Sequence, residues 1–459
     1  MRRTRILFWP LLAVLLMSGT ASAAPGDPYV VYTANSFASG AVVLRTDPAS
    51  GSLVEISRNG PQGNLFQRPY DLAVEADGDL VVADIGQPCT AQTEPCAADG
   101  RVVRVDPLTG GQSLVASGDR LVDPAGIAVA PDGGLWVADN LAPDGDGRVV
   151  RIDPASGAQQ TVSEGGQLDL PFGIALDRAG SLLVANRVVP GELLPGCQEQ
   201  GKVLRVDPVD GGQELVSESG DLGRPLGLAV AADGAIVVAN ECATPGGLVR
   251  VDPLGGSQEV LTSNNGEDVL VTPERVAFDP GGALLVSDFA LGADADGGIV
   301  KVDPESGEQT LVRSGELFNH PLGIAAVVNR APVAALAADP PVVAAGRPVR
   351  IDGSRSSDPE GLRLVYEWDL DGDGAFESGS GLTPTASRSF GVHGPATVRM
   401  RVNDPHGGRA VAEATVLVDG ALPVISGLRA RPRRLGVRRP PRRRARRERG
   451  SRGRRAALA

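Results

Sequence analysis

Residues 126–139 read GIAVAPDGGLWVAD and residues 147–162 read GRVVRIDPASGAQQTV. Each stretch holds short apolar runs rich in Val, Leu and Ile, broken by Asp-Gly, Gly-Gly or Asp-Pro. Runs of this length between turn dipeptides predict short strands, four to a unit. The unit recurs. Arg/Lys-x-Asp-Pro appears at Asp47, Asp106, Asp153, Asp207, Asp252 and Asp303, with spacings of 59, 47, 54, 45 and 51 residues. A proline leading into an apolar alternation recurs at Pro69, Pro124, Pro171, Pro225, Pro273 and Pro321. An apolar run closed by Asn or Asp recurs at Asn35, Asp84, Asp139, Asn186, Asn240 and Asp288. Three phrases share one period. A lone four-stranded sheet leaves its faces bare and its edges open, whereas a radial array buries the faces and protects the edges. The expected fold is therefore all-β, a six-bladed β-propeller.

The order of phrases predicts how the ring closes. The chain enters on the second strand of a unit (YVVYTAN, 29–35) and leaves the repeat on a first strand (PLGIAAVV, 321–328). The last blade, here blade six, is shared between the two ends: an inner strand near 322–328 and three outer strands between about 29 and 57. Closure of this kind removes the fraying expected of an open repeat array.

The wider composition agrees. The 459 residues include 60 Gly and 36 Pro, yet 42% are apolar, so the chain is rich in turns and still able to bury a core. That balance excludes collagen, coiled coil and wholesale disorder. Residues 1–23 carry three arginines, an apolar run from Ile6 to Met17 and the small-residue stretch SGTASA, the pattern of a secretory signal. The run is too short to span a bilayer and no other stretch competes. The expectation is a secreted, extracellular or periplasmic protein, a monomer without a transmembrane segment. Export permits disulfides, and the placing of the four cysteines in loops after the Asn/Asp-closed strands favours Cys89–Cys96 and Cys197–Cys242 over the two more distant pairings.

In the run Pro-x-Gly-Ile-Ala-Val, Asp-Gly, Leu-x-Val-Ala-Asp and Arg-Val-x-Arg-x-Asp-Pro, residues 24–328 resemble the NHL-repeat and streptogramin-lyase-like propellers, and more distantly the SMP-30/gluconolactonase group. The resemblance implies the propeller fold, and it spans enzymes, ligand binders and interaction scaffolds. After Asn329 the period ends. The SSDPEG turn, the segment Tyr366-Glu367-Trp368-Asp369 and the alternating strand around Val398–Val402 make residues 329–419 similar to a PKD domain, a small immunoglobulin-like β-sandwich with Trp368 as its core aromatic.

Candidate chemistry gathers where the repeat is broken. Four blades carry Gly two residues after the repeated proline, at 126, 173, 227 and 323, but blade one has Asp71 and blade five has Glu274-Arg275. His320 precedes Pro321. Asp71, Glu274, Arg275 and His320 thus offer a general base, an electrostatic partner and an anion clamp on one rim, or else rim ion pairs of little energy. The resemblance to streptogramin lyases implies histidine, glutamate and a metal ion in this region. The ring that includes Asp84, Asp139 and Asp288 resembles the Ca²⁺ site of the gluconolactonase group, and oxygen donors suit Ca²⁺ or another hard divalent cation. Capping of the following turn in every blade is the alternative. Asp369, Asp371 and Asp373 open a D-x-D-x-D-G loop, with Ser380 where a calcium loop would end in Glu.

The net charge of −12 hides an asymmetry, since residues 420–459 carry 15 Arg and one Glu, net +14, leaving −26 for the rest. The tail predicts disorder and salt-dependent contact with polyanions, or it is the product of a frame disruption in a GC-rich gene. The functional expectation is an exported binding or scaffold protein whose propeller mouth recognises a protein, glycan or small molecule, with the PKD unit as spacer or adhesion module. The alternative is a lyase or lactone hydrolase working at the central channel.

Overall fold

The computed structural model describes residues 24–36, 40–61, 63–86, 99–140, 146–188, 200–241, 247–263, 269–291, 295–315 and 317–420. Among them every regular element is a strand. Residues 1–23, all four cysteines and the arginine-rich tail from 421 onward lie outside the described residues, so the expectations placed on them are not addressed by the fold.

Six antiparallel four-stranded sheets follow the six repeats in order. Blade one is typical: Pro69–Val74 innermost, then Leu80–Asp84, Arg101–Val105 and Gln112–Ser117 at the edge. The second strand is buried along its whole length, because neighbouring blades cover both its faces, and so it reads as an unbroken apolar run. The edge strand alternates with exposed residues. Apolar clusters fill the space between successive blades, and each inner strand packs on the next until the circle is complete. Closure is as expected: Tyr29–Asn35 pairs with Pro321–Val328, with Tyr29 opposite Val328 and Asn35 opposite Pro321.

Two devices in the repeat set the geometry. In the four blades that have it, the glycine after Pro-x is a close-approach position: a Cβ at Gly126 would lie 2.0 Å from the Phe172 carbonyl oxygen in the next blade. The second device is a clasp between edge strands. Gln213 of blade three donates to Ser163 Oγ of blade two at 2.9 Å and accepts from the Gln167 amide at 2.7 Å, while Ser163 Oγ donates to the Gly211 carbonyl at 2.8 Å. Gln112, Gln258 and Gln309 reach Ser57, Ser217 and Thr262 in the same way.

Residues 329–418 form the second unit. A three-stranded sheet (Ala337–Asp339, Pro348–Asp352, Thr385–Ser389) faces a five-stranded sheet containing Val342–Ala344, Val365–Asp369, Ser378–Gly381, Gly394–Asn403 and Arg409–Asp419. Trp368 lies in the core between them and donates its indole N–H to Ser380 Oγ at 2.8 Å, in keeping with its expected structural role. This sandwich is docked on the turns of blades six and one, on the face opposite the repeated prolines. Tyr32 Oη meets His406 Nδ1 at 3.0 Å, Arg363 reaches Asp79 and Asp106, and Arg330 bridges Asp27 and Glu360.

Candidate functional site at the propeller mouth

The inner strands begin at the repeated prolines, so the residues flanking each proline surround one opening of the ring. A cavity of about 240 Å³ lies there. Its floor is the residues directly after the prolines, the apolar Tyr70, Leu226 and Leu322 with Glu274 beside them, and around it stand Arg68, Arg187, Arg224, Glu241 and Phe289. Blades one, three, four, five and six all contribute.

The four rim residues expected from the sequence do not form one cluster. Asp71 and Arg275 pair inside the ring, with Arg275 Nε 3.6 Å from Asp71 Oδ2. Arg275 reaches across the channel to donate to the Ala125 carbonyl of blade two at 2.7 Å, and its guanidinium lies over the Tyr70 ring at 5.4 Å. The Asp71 carboxylate accepts from the Leu72 amide at 2.9 Å and the Ile127 amide at 3.2 Å. Burial pushes the Asp71 carboxyl up, and Arg275 and these amides pull it back. The two side chains stand at the position that is glycine in four blades, and they tie blades five, one and two together. This pair is buried rather than solvent-exposed.

Glu274 lines the mouth itself. It is 6% exposed, and its Oε2 has no hydrogen-bond partner. Burial pushes its carboxyl up to about 8, with Arg275 acting against the shift, so at neutral pH it holds a proton and can donate one hydrogen bond. His320 stands on the rim, its backbone at φ 55°, its amide donating to the Asp296 carbonyl at 2.8 Å and its ring 4.2 Å from the Phe289 ring. It therefore backs a wall residue and does not line the cavity.

Sequence reasoning missed the arginines. Arg68 and Arg224 each immediately precede a repeated proline, the position that drew attention to His320. Arg187 follows the Asn/Asp-closed strand of blade three and stacks on Phe172 at 5.0 Å. Arg224 Nη1 lies 3.1 Å from Glu241 Oε2.

The candidate cation ligands divide into two kinds. Asp84, Asp139 and Asp288 are fully buried, and each accepts from backbone amides of the segment leading into its own inner strand: Gln67 and Arg68, Val122 and Asp123, Val271 and Thr272. Asp84 and Asp288 accept as well from the Gly86 and Ala290 amides of the turn that follows, so their oxygens are engaged mainly by the segment before the inner strand and in part by the following turn. Asp369, Asp371 and Asp373 do come together, joined by Glu377 in place of the expected twelfth residue, with one oxygen from each within 4.8 Å of the others. Asp369 already accepts from the Gly372 and Gly374 amides and from Arg399. These four are the group among the described residues with the donor set for a hard cation.

Residues 329–418 match the family model described as PKD domain. No curated protein matches the chain. Among solved structures, the chain is similar to one in a nidogen/laminin complex, with a TM-score of 0.49 and 15% identity over 65% of this chain and 98% of that one. It is similar to TolB from Acinetobacter baumannii (TM-score 0.47, 13% identity, 66% of this chain and 68% of that one). The periplasmic gluconolactonase PpgL of Pseudomonas aeruginosa gives a TM-score of 0.43 and 20% identity over 65% of this chain and 99% of that one. At such values no activity passes from these proteins to this one. In fold the chain is a six-bladed β-propeller followed by a β-sandwich whose residues 329–418 match the PKD model.

Proposed function

We propose that this chain is an exported binding protein that recognises a ligand at the propeller mouth. Residues 1–23 direct export, the propeller at 24–328 presents the site, and the PKD unit at 329–419 is a module held against the opposite face. The observation that carries the reading is the cavity itself: five blades supply convergent polar groups above an apolar floor, the usual make-up of a ligand pocket. The docked sandwich leaves this opening free.

The alternative, a lyase or lactone hydrolase, draws support from Glu274, whose protonated carboxyl suits a general acid. Against it, Asp71 is held by the Arg275 charge and by the Leu72 and Ile127 amides, and Arg275 is anchored on the Ala125 carbonyl. The test is ligand-observed NMR of the purified full chain with mixtures of small metabolites and oligosaccharides. Hits for the parent protein are expected to vanish in Leu226→Trp, which fills the floor. Hits that survive this change place recognition elsewhere and overturn the reading. Turnover of a lactone or cyclic ester that Glu274→Gln abolishes and chelation weakens decides for the enzyme.

A further inference from the structure

The walls of the mouth carry a charge opposite to that of the protein around them. Ahead of residue 420 the chain sums to −26, yet the ionisable residues lining the cavity are three arginines against Glu241 and Glu274. Arg224 and Glu241 form a pair at 3.1 Å. The balance is positive whether or not Glu274 is ionised, and a cationic recess in an acidic body concentrates small anions while the remaining surface repels them.

The groups suit oxyanions in kind as well as in sign. Guanidinium forks match the planar oxygens of a carboxylate and the edges of a phosphate. Glu274 adds a buried carboxyl whose Oε2 lacks a partner, a group that a ligand oxygen or hydroxyl would satisfy. Arg275 and Arg224 draw its proton off, and burial, with Glu241 and Asp288 acting in the same direction, outweighs them. The floor of Tyr70, Leu226 and Leu322, with Phe289 on one wall, asks for a ligand with a carbon body. At roughly 30 Å³ per water, 240 Å³ is the space of about eight waters, more than a bare oxyanion fills.

Resting on the mouth as the binding site, we propose that its ligand is a small organic anion, a carboxylate or phosphate monoester held by Arg68, Arg187 and Arg224, with its body on Tyr70 and Leu226 and a hydrogen bond to Glu274.

The experiment is isothermal titration calorimetry of the full chain in low-salt, chloride-free buffer. The probes are benzoate, D-glucuronate and phenyl phosphate, each against a neutral counterpart (benzamide, methyl β-D-glucoside, phenol), with inorganic phosphate as the bare oxyanion. The expected result is binding of at least one organic anion about tenfold or more tighter than its counterpart, a loss of about tenfold in both Arg187→Met and Arg224→Met, and no change in Arg250→Met. Arg250 pairs with Asp233 on the opposite face of the propeller, so it controls for general loss of positive charge. Carboxylates binding without phenyl phosphate, or the reverse, assigns the oxyanion. Neutral counterparts that bind as well as the anions and are lost in Leu226→Trp overturn the anion class while the mouth remains the site. Anion binding indifferent to Arg187→Met and Arg224→Met overturns the proposal, as does inorganic phosphate binding as tightly as phenyl phosphate. Absence of binding by every probe, charged or neutral, removes both the class and the site.

Discussion

Asp71 and Arg275 illustrate how a broken repeat is read one residue at a time. Both stand where four sister blades have glycine, and both are buried, at 7% and 4% exposure. A buried pair is weak evidence of net stability, because desolvation offsets its attraction, but removing one partner strands the other charge. Arg275→Met is therefore expected to destabilise the propeller by about 3 to 5 kcal/mol in denaturant unfolding, and Asp71→Asn with Arg275→Met to recover a large part of that loss. If the double variant loses the sum of the two single changes, the residues act independently and the strut across the channel is not a unit. A catalytic role for Asp71 predicts a different pattern, with activity lost in the double variant even as stability returns.

At the scale of elements, the repeat phrases made the blades legible because each phrase performs one local task. The Asp of Asp-Pro accepts from the amide two residues on, as Asp153 does from Ala155, and the basic residue before it pairs with the first turn of the blade, as Arg151 does with Asp132. The expected inner strand of blade six near 322–328 is Pro321–Val328, and the outer three run from Tyr29 to Arg58. The clasp was equally present in the sequence, as Gln six residues after the Asp in five blades, and went unread because a polar side chain at an edge strand looks solvated. Blade six has Leu53 at that position, and the neighbouring blade has Arg313 where the others place Ser or Thr opposite Gln; Leu53 packs with Phe318 instead. Blade one has Ala116 in the partner position, so Gln159 turns to the Ser117 carbonyl and the Arg120 amide. The mouth arginines were harder to see, since Arg68 and Arg224 lie in connections and Arg187 at the very end of a strand, positions whose residues differ from blade to blade. Gln213→Ala breaks a clasp whose partners are part-buried, and a cost of about 1 to 3 kcal/mol is expected in equilibrium unfolding. The same change at Gln159, which lacks the Ser partner, should cost less. Equal losses at the two positions would show that the hydroxyl contributes nothing.

For the whole molecule, the buried carboxyls set the response to pH. Burial pushes Asp123 up to about 6, Asp139 to about 7 and Glu274 to about 8, whereas in the unfolded chain such groups titrate near 4. Between these limits the folded protein binds more protons than the unfolded one, so this contribution is fully present below about pH 4 and is lost as pH rises through 6 to 8. The docking face carries one group of each kind. Burial pushes Asp404 up to about 6, which acts like the others, and it holds His406, 4% exposed against Tyr32, down to about 4. An unfolded histidine takes its proton near 6.5, so the His406 contribution is present above that value and lost as pH falls toward 4. The melting temperature is therefore expected to rise as pH falls from 8, and below about 6.5 to rise less steeply than it would without His406, because the one histidine offsets part of what the four carboxyls contribute. His406→Gln keeps a polar side chain beside Tyr32 but cannot be protonated, so its melting temperature should rise more steeply toward pH 5. Scanning calorimetry of both proteins from pH 5 to 8 checks the argument. A parent protein whose melting temperature is highest at pH 8 would show that the buried carboxyls do not set the response to pH, and a variant whose curve runs parallel to the parent below pH 6.5 would show that His406 takes no part in it.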